Sequence, residues 1–175
     1  MKKYISNENK SHAAGKQGYN DKPQRIAFRK MVQSDGCPIL IEFLISYFNL
    51  VEGKDYKIVN DPLGERKVDL GILDVEENKL VGLVEVDYFK SWNSSWPNNY
   101  KVLNRVLRKE GYYSKNNLPY INISFNVQGD CGIFTTREME QKYSITEWYV
   151  PQYDAWDIGR RINLNDAIKV GAWVN

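Results

Sequence analysis

An α/β sandwich, a central mixed β-sheet flanked by helices, is the fold the sequence predicts, and three observations lead to it. The candidate elements run helix, strands, helix, strand and then a mixed set, an order that layers helices on a sheet. Residues 38–51 (PILIEFLISYFNLV) are apolar over so broad a face that a sheet is needed to cover them. Residues 67–89 read as two Val-, Leu- and Ile-rich strands joined by a tight charged turn.

The elements follow in order. Residues 1–21 hold Ser, Asn, Lys and Gly and little that can be buried, so they are predicted to be a flexible arm ahead of one domain at 22–175. Residues 1–30 carry eight Lys or Arg against Glu8 and Asp21, a net +6, whereas the remainder has 16 basic and 20 acidic residues, a net −4. A basic arm on a mildly acidic body suits a polyanionic partner, with a solubilising tail as the alternative. Residues 22–33 suggest a short helix with Pro23 near its start and Ile26, Phe28 and Met31 as apolar points. In 38–51, Ile39, Phe43, Tyr47 and Leu50 form one stripe with Leu40, Leu44 and Phe48 beside it. Glu42 falls on the polar face and reads as solvated rather than aimed at a metal.

A turn at 52–55, a strand at 56–59 and a turn at 60–64 lead into the hairpin. After it, the polar loop 91–99 carries Trp92 and Trp96, read as packing beside the sheet, with stacking on nucleic-acid bases as the alternative. Residues 100–111 (YKVLNRVLRKEG) are predicted to be an amphipathic helix. Val102, Leu103, Val106 and Leu107 face inward, Lys101, Arg105, Arg108 and Lys109 outward, and Gly111 ends it. Strands are expected at 120–126, 131–136 and 145–150, a short helix at 137–143, a helical turn at 163–169 and a last strand at 170–174.

The 175 residues, 42% hydrophobic and 26% charged, have the composition of an ordinary globular domain. No run approaches the ~20 apolar residues of a membrane span, and the first residues lack a signal-peptide core. A cytoplasmic location is therefore expected. Cys37, Cys131 and His12 offer neither a disulfide framework nor zinc spacing, so both thiols are expected reduced and buried.

The hairpin carries the chemistry. Carboxylates set among apolar strand residues cost free energy unless a cation or hydrogen bonds compensate them. Side chains alternate along a strand, so Glu85 and Asp87 share a face, as do Lys67 and Asp69. A two-residue loop at 77–78 sets Asp69 opposite Val86. With a three-residue loop at 76–78 and Asn78 in the left-handed position, Gly71 instead falls opposite Leu83 and Asp69 opposite Glu85. Two carboxylates so placed repel until a divalent cation bridges them. Oxygen donors of this kind suit Mg²⁺ or Mn²⁺, which polarises a phosphoryl oxygen and activates a bound water.

A helix, a hairpin bearing Asp69 and the acidic pair Glu85-x-Asp87, then a helix and a strand resembles the PD-(D/E)xK nuclease superfamily over residues 38–126. The resemblance implies a restriction-endonuclease-like fold and a Mg²⁺-dependent endonuclease acting on DNA, with Asp69, Glu85 and Asp87 as metal ligands and Lys67 or Lys109 assisting the nucleophilic water. Asp87 stands where the family usually has lysine, and Pro62 is too distant in sequence to form the family's Pro-Asp pair. A relocated lysine then has three candidates, Lys67, Lys109 and Lys90. Trp92, Tyr100 and Arg108-Lys109 after the acidic strand are similar to phage-encoded members, which implies the host cytoplasm. The resemblance further implies that Lys101, Arg105, Arg108 and Lys109 grip DNA, with a homodimer as one arrangement. A nuclease-like scaffold that binds nucleic acid or protein without turnover is the alternative, and the missing lysine after Glu85 is what favours it.

Overall fold

The computed structural model describes residues 2–4, 22–33, 36–64, 67–89, 92, 93, 96 and 101–172. Residues 5–21 of the expected arm, His12, Lys90, Tyr100 and most of the 91–99 loop lie outside them.

Helices α1 (Pro23–Val32) and α2 (Pro38–Tyr47) each carry proline in the first turn, where the missing N–H would have no partner and the fixed φ already suits a helix. An antiparallel meander follows, of β1 (Tyr56–Asn60), β2 (Leu70–Asp74) and β3 (Lys79–Tyr88). Strand β4 (Val102–Val106) leaves this sheet, and helix α3 (Leu107–Asn116) returns the chain to β5 (Tyr120–Phe125), parallel to β3. Strand β6 (Cys131–Thr136), helix α4 (Arg137–Gln141) and strands β7 (Ile145–Val150), β8 (Ala155–Asn163) and β9 (Ile168–Gly171) complete the chain. The result is a mixed six-stranded sheet, β1-β2-β3-β5-β6-β9, and a second sheet, β4-β8-β7. The expected α/β class with a central mixed sheet is what forms.

The two faces of the large sheet are covered differently. On one, Val84 and Val86 of β3, Ile121, Ile123 and Phe125 of β5 and Phe134 of β6 pack under Ala27, Phe28 and Met31 of α1 and Leu40, Leu44 and Phe48 of α2. A Cβ on Gly82 would lie 2.7 Å from the Phe48 ring, so only glycine lets that ring rest on the strand. The opposite face has two separate apolar clusters. Leu83 and Tyr120 meet Val68 and Tyr113 of α3 at one end. Cys131 and Ile133 meet Trp92, Leu103 of β4 and Ile162 of β8 at the other, which joins the two sheets. Between them runs a polar band, with Glu85 beside Asn122 and Asn122 beside Thr135, then Asp87 beside Ser124.

The main correction concerns residues 100–111, which are not one helix. Val102 and Leu103 pair with Asn163 and Ile162 of β8, and helix begins only at Leu107, contains Gly111 and closes on Asn117 at φ 48°. The apolar spacing 102, 103, 106, 107 suits a strand running into a helix as well as it suits a helix. The deciding partner, β8, escaped the sequence reading because its residues (AWDIGRRIN) include Asp157, Gly159 and two arginines.

The hairpin reaches its expected register by another route. Its turn has four residues, since Asp74 pairs with Lys79 and Leu73 with Leu80. A bulge at Val81 then restores Ile72 to Gly82 and Gly71 to Leu83. Asn78 is left-handed, at φ 49°, as its place before the second strand predicts. Residues 2–4 lie along β8, where Lys3 accepts the Trp156 N–H at 2.7 Å. Cys37 and Cys131 are both free thiols, the first half-buried and the second buried. Among the described residues no helix is long and apolar enough to cross a membrane.

Candidate active site

The polar band gathers the acids that the hairpin supplies, and each meets a cation from a different element. Asp69 precedes β2 and caps the open edge of β3, its carboxylate accepting the Val86 N–H at 3.3 Å. Its other oxygen takes the Arg25 guanidinium from α1, which has no solvent exposure. The Asp69 N–H donates to the Glu85 carboxylate at 3.3 Å, so the two residues meet as the register requires. The Asp61 N–H in turn donates to the Asp69 carbonyl at 3.1 Å, setting the Asp61-Pro62 turn beside it.

Glu85 is buried and paired with the Lys109 ammonium, delivered by the first turn of α3. Of the lysines the sequence offered, Lys109 is the one brought onto Glu85. The Lys67 ammonium lies 5.9 Å from the centre of the Tyr112 ring, and Lys90 falls outside the described residues. Four residues after Lys109, and so on the same face of α3, the buried Tyr113 hydroxyl has no hydrogen-bond partner. Burial first, and then the charges of Glu140, Tyr120, Asp87 and Asp69, push its ionisation well above the ordinary tyrosine value.

Asp87 does not join Asp69 and Glu85. Its side chain is 54% exposed and faces the Arg105 guanidinium at 3.4 Å. Arg105 was expected on an outward helix face, but its side chain is only 6% exposed. It donates to Thr135 at 3.1 Å, Ser124 at 3.3 Å and the Asn122 carbonyl at 3.1 Å, and lies 3.4 Å from Glu140. Glu140, from α4, accepts from Asn122 and Thr135 at 2.6 Å each and from the Tyr120 hydroxyl at 3.3 Å. Desolvation outweighs Arg105 there and holds its carboxyl above the ordinary glutamate value. Arg108, expected on the outward face, pairs with Asp157 of β8. Lys101 is exposed, as the sequence predicted.

Arg25, Asn122, Thr135 and Glu140 are the site residues the sequence reading missed. Arg25 left a trace, since it sits three residues before Phe28 on the buried stripe of its helix. The others left none, because their partners meet only in the folded chain. Trp92 is buried and packs edge-on to Trp96, with ring centres 4.7 Å apart. That is packing beside the sheet, and it takes Trp92 out of reach of a nucleic-acid base.

The donor set at Asp69 and Glu85 is hard oxygen, of the kind that Mg²⁺ or Mn²⁺ takes. Among the described residues no group of three or more acidic, His or Cys side chains is gathered at ligand distance. The fit is therefore to a pair of carboxylates, with Asp87 drawn off by Arg105. Comparison with family models, with curated proteins and with solved structures finds no match to this chain.

Proposed function

We propose that this protein is a metal-dependent endonuclease that hydrolyses DNA phosphodiesters, using Asp69, Glu85 and Lys109. The observation that carries the reading is the Lys109 ammonium seated on the Glu85 carboxylate with Asp69 alongside. That combination supplies from α3 the lysine that the strand lacks. The element order also supports a restriction-endonuclease-like core, because helix, hairpin, helix and strand follow one another as in the PD-(D/E)xK resemblance, with β4 set between the hairpin and α3 and β5 parallel to β3.

Asp69 and Glu85 would hold the ion, which when bound polarises a phosphoryl oxygen and activates water. Arg25 fixes the Asp69 carboxylate from α1, so the ligand does not have to be ordered at each turnover. Lys109 carries positive charge to the side of Glu85 where negative charge develops on phosphate, and it orients the attacking water there.

Asp69→Ala and Glu85→Ala proteins should keep the wild-type circular dichroism and lose cleavage of plasmid DNA in Mg²⁺. Undiminished cutting by either one refutes the site. A second reading, a nuclease-like scaffold without turnover, has one observation in its favour, that Asp69, Glu85 and Asp87 each already meet a cation of the protein. Titration calorimetry with Mn²⁺ separates the two readings, since the enzyme binds the ion through Asp69 and Glu85 and the inert scaffold does not.

A further inference from the structure

A cavity of about 250 Å³ opens beyond Asp87, lined by Phe89, Lys101, Asn104, Arg105 and Arg161 as well as Asp87 itself. It lies where the C-terminal end of β3 faces the edge strand β4 of the second sheet. Its charges are three cations against one carboxylate. Among the described residues, no carboxylate lies within ion-pair distance of Lys101 or Arg161, and both are exposed. The volume is below the roughly 300–1,000 Å³ of drug-sized sites, which suits a small anionic group rather than a whole organic ligand.

Arg105 gives the cavity its character. Thr135, Ser124, the Asn122 carbonyl and Glu140 hold its guanidinium from behind, so its direction is set before any ligand arrives. A planar guanidinium fixed in this way loses little entropy on binding a phosphate and matches its oxygens. Its contact with Asp87, at 3.4 Å, is longer than the roughly 2.7–2.9 Å of a well-made charge-assisted bond. The Asp87 carboxylate, 54% exposed, is thus the anion that faces Arg105 in the cavity.

Position supplies the rest. Asp87 is two residues beyond Glu85 on the same face of β3, a span of about 6.6 Å along a strand. That is the scale on which successive phosphates are spaced along a nucleic-acid strand. We infer that this cavity is a phosphate subsite for a DNA strand, in which Arg105, Lys101 and Arg161 hold the backbone phosphate next to the one lying at Glu85 and Lys109. The inference rests on the nuclease reading for its register, but not for the binding itself.

The test measures binding without metal and cleavage with it. In EDTA, fluorescence anisotropy of a labelled oligothymidylate should show the Lys101→Ala/Arg161→Ala protein binding roughly tenfold more weakly at physiological salt, the counter-ion release of two contacts. The slope of log affinity against log salt should fall by about 1.4 for the same two contacts. Asp87→Asn should bind more tightly than wild type. A Lys115→Ala/Lys142→Ala protein, which removes two exposed lysines outside the cavity, controls for net charge. If this control loses as much affinity as the cavity variant, or if Asp87→Asn binds no better, the subsite is refuted. It is also refuted if inorganic phosphate binds the wild type and the oligonucleotide does not, which would make the cavity a small-anion site. Wild-type protein that binds as described but cuts nothing in Mg²⁺ removes the nuclease reading and leaves the subsite standing. Cleavage with unaltered binding by the cavity variant does the reverse.

Discussion

Replacing Glu140 tests whether the polar band is held by charge or by hydrogen bonds. Its carboxylate accepts from Asn122 and Thr135 at 2.6 Å each and from Tyr120 at 3.3 Å, and lies 3.4 Å from Arg105. Burial raises its pKa in spite of Arg105, so withdrawing the charge from water costs more than the ion pair returns. Glu140→Ala strips the acceptor from Asn122, Thr135 and Arg105 at once and should cost about 3–5 kcal/mol, as for a broken buried pair. Glu140→Gln keeps a carbonyl oxygen for the same donors and should cost no more than about 1.5 kcal/mol. The sign with pH follows from the raised value. The stability contributed by the protonated group is fully present below the unfolded-state value of 4.5 and is lost as pH rises through the higher folded value. Wild type should therefore lose stability across that window while Glu140→Gln does not, so the gap between them is narrower at neutral than at acidic pH. Urea denaturation followed by tryptophan fluorescence, with unchanged m-values, measures both effects. If Glu140→Gln proves as damaging as Glu140→Ala at every pH, the ion pair is what holds the band and the reasoning is wrong.

Three further predictions concern the neighbouring parts. On the nuclease reading, Lys109→Met should lower single-turnover cleavage by about 10²–10³-fold, the range for removing one positioned charge-stabilising donor, and full activity in a folded Lys109→Met protein would remove that role. Gly82→Ala sets a methyl 2.7 Å from the Phe48 ring and should destabilise the fold by about 1–3 kcal/mol, as overpacking does; an unchanged thermal midpoint would contradict the packing. The Cys131 thiol, pushed up to about 11 chiefly by burial, should alkylate with iodoacetamide more slowly than free cysteine at mildly basic pH, and equal rates would show it to be accessible.

What the sequence made legible was local. Prolines and apolar stripes marked α1 and α2, and alternation marked β5 and β6, because each signal lies within one element. Asp69 and Glu85 were readable as a pair through strand parity, although the turn has four residues and it is the bulge at Val81 that restores their register. Residues 102–107 misled because their spacing satisfies two periods, and only β8, far along the chain, decides between them. The cations on the acids were invisible for the same reason, since Arg25 reaches Asp69 across 44 residues and Arg105 of β4 reaches Glu140 of α4, elements that the sequence does not bring together.

The bulge at Val81 separates the hairpin into two parts that answer differently to insertion and deletion. Between the turn and the bulge, pairing runs in one register, and beyond it in another. A change in loop length around residues 75–78 is taken up before it reaches the acids, so that tip is free to lengthen or shorten. Removing one residue between Val81 and Glu85 has no such buffer, and parity would turn Glu85 towards the apolar layer beneath α1 and bring Val86 to Lys109. The tip can accept length variation, while the stem that follows it can accept only changes in steps of two.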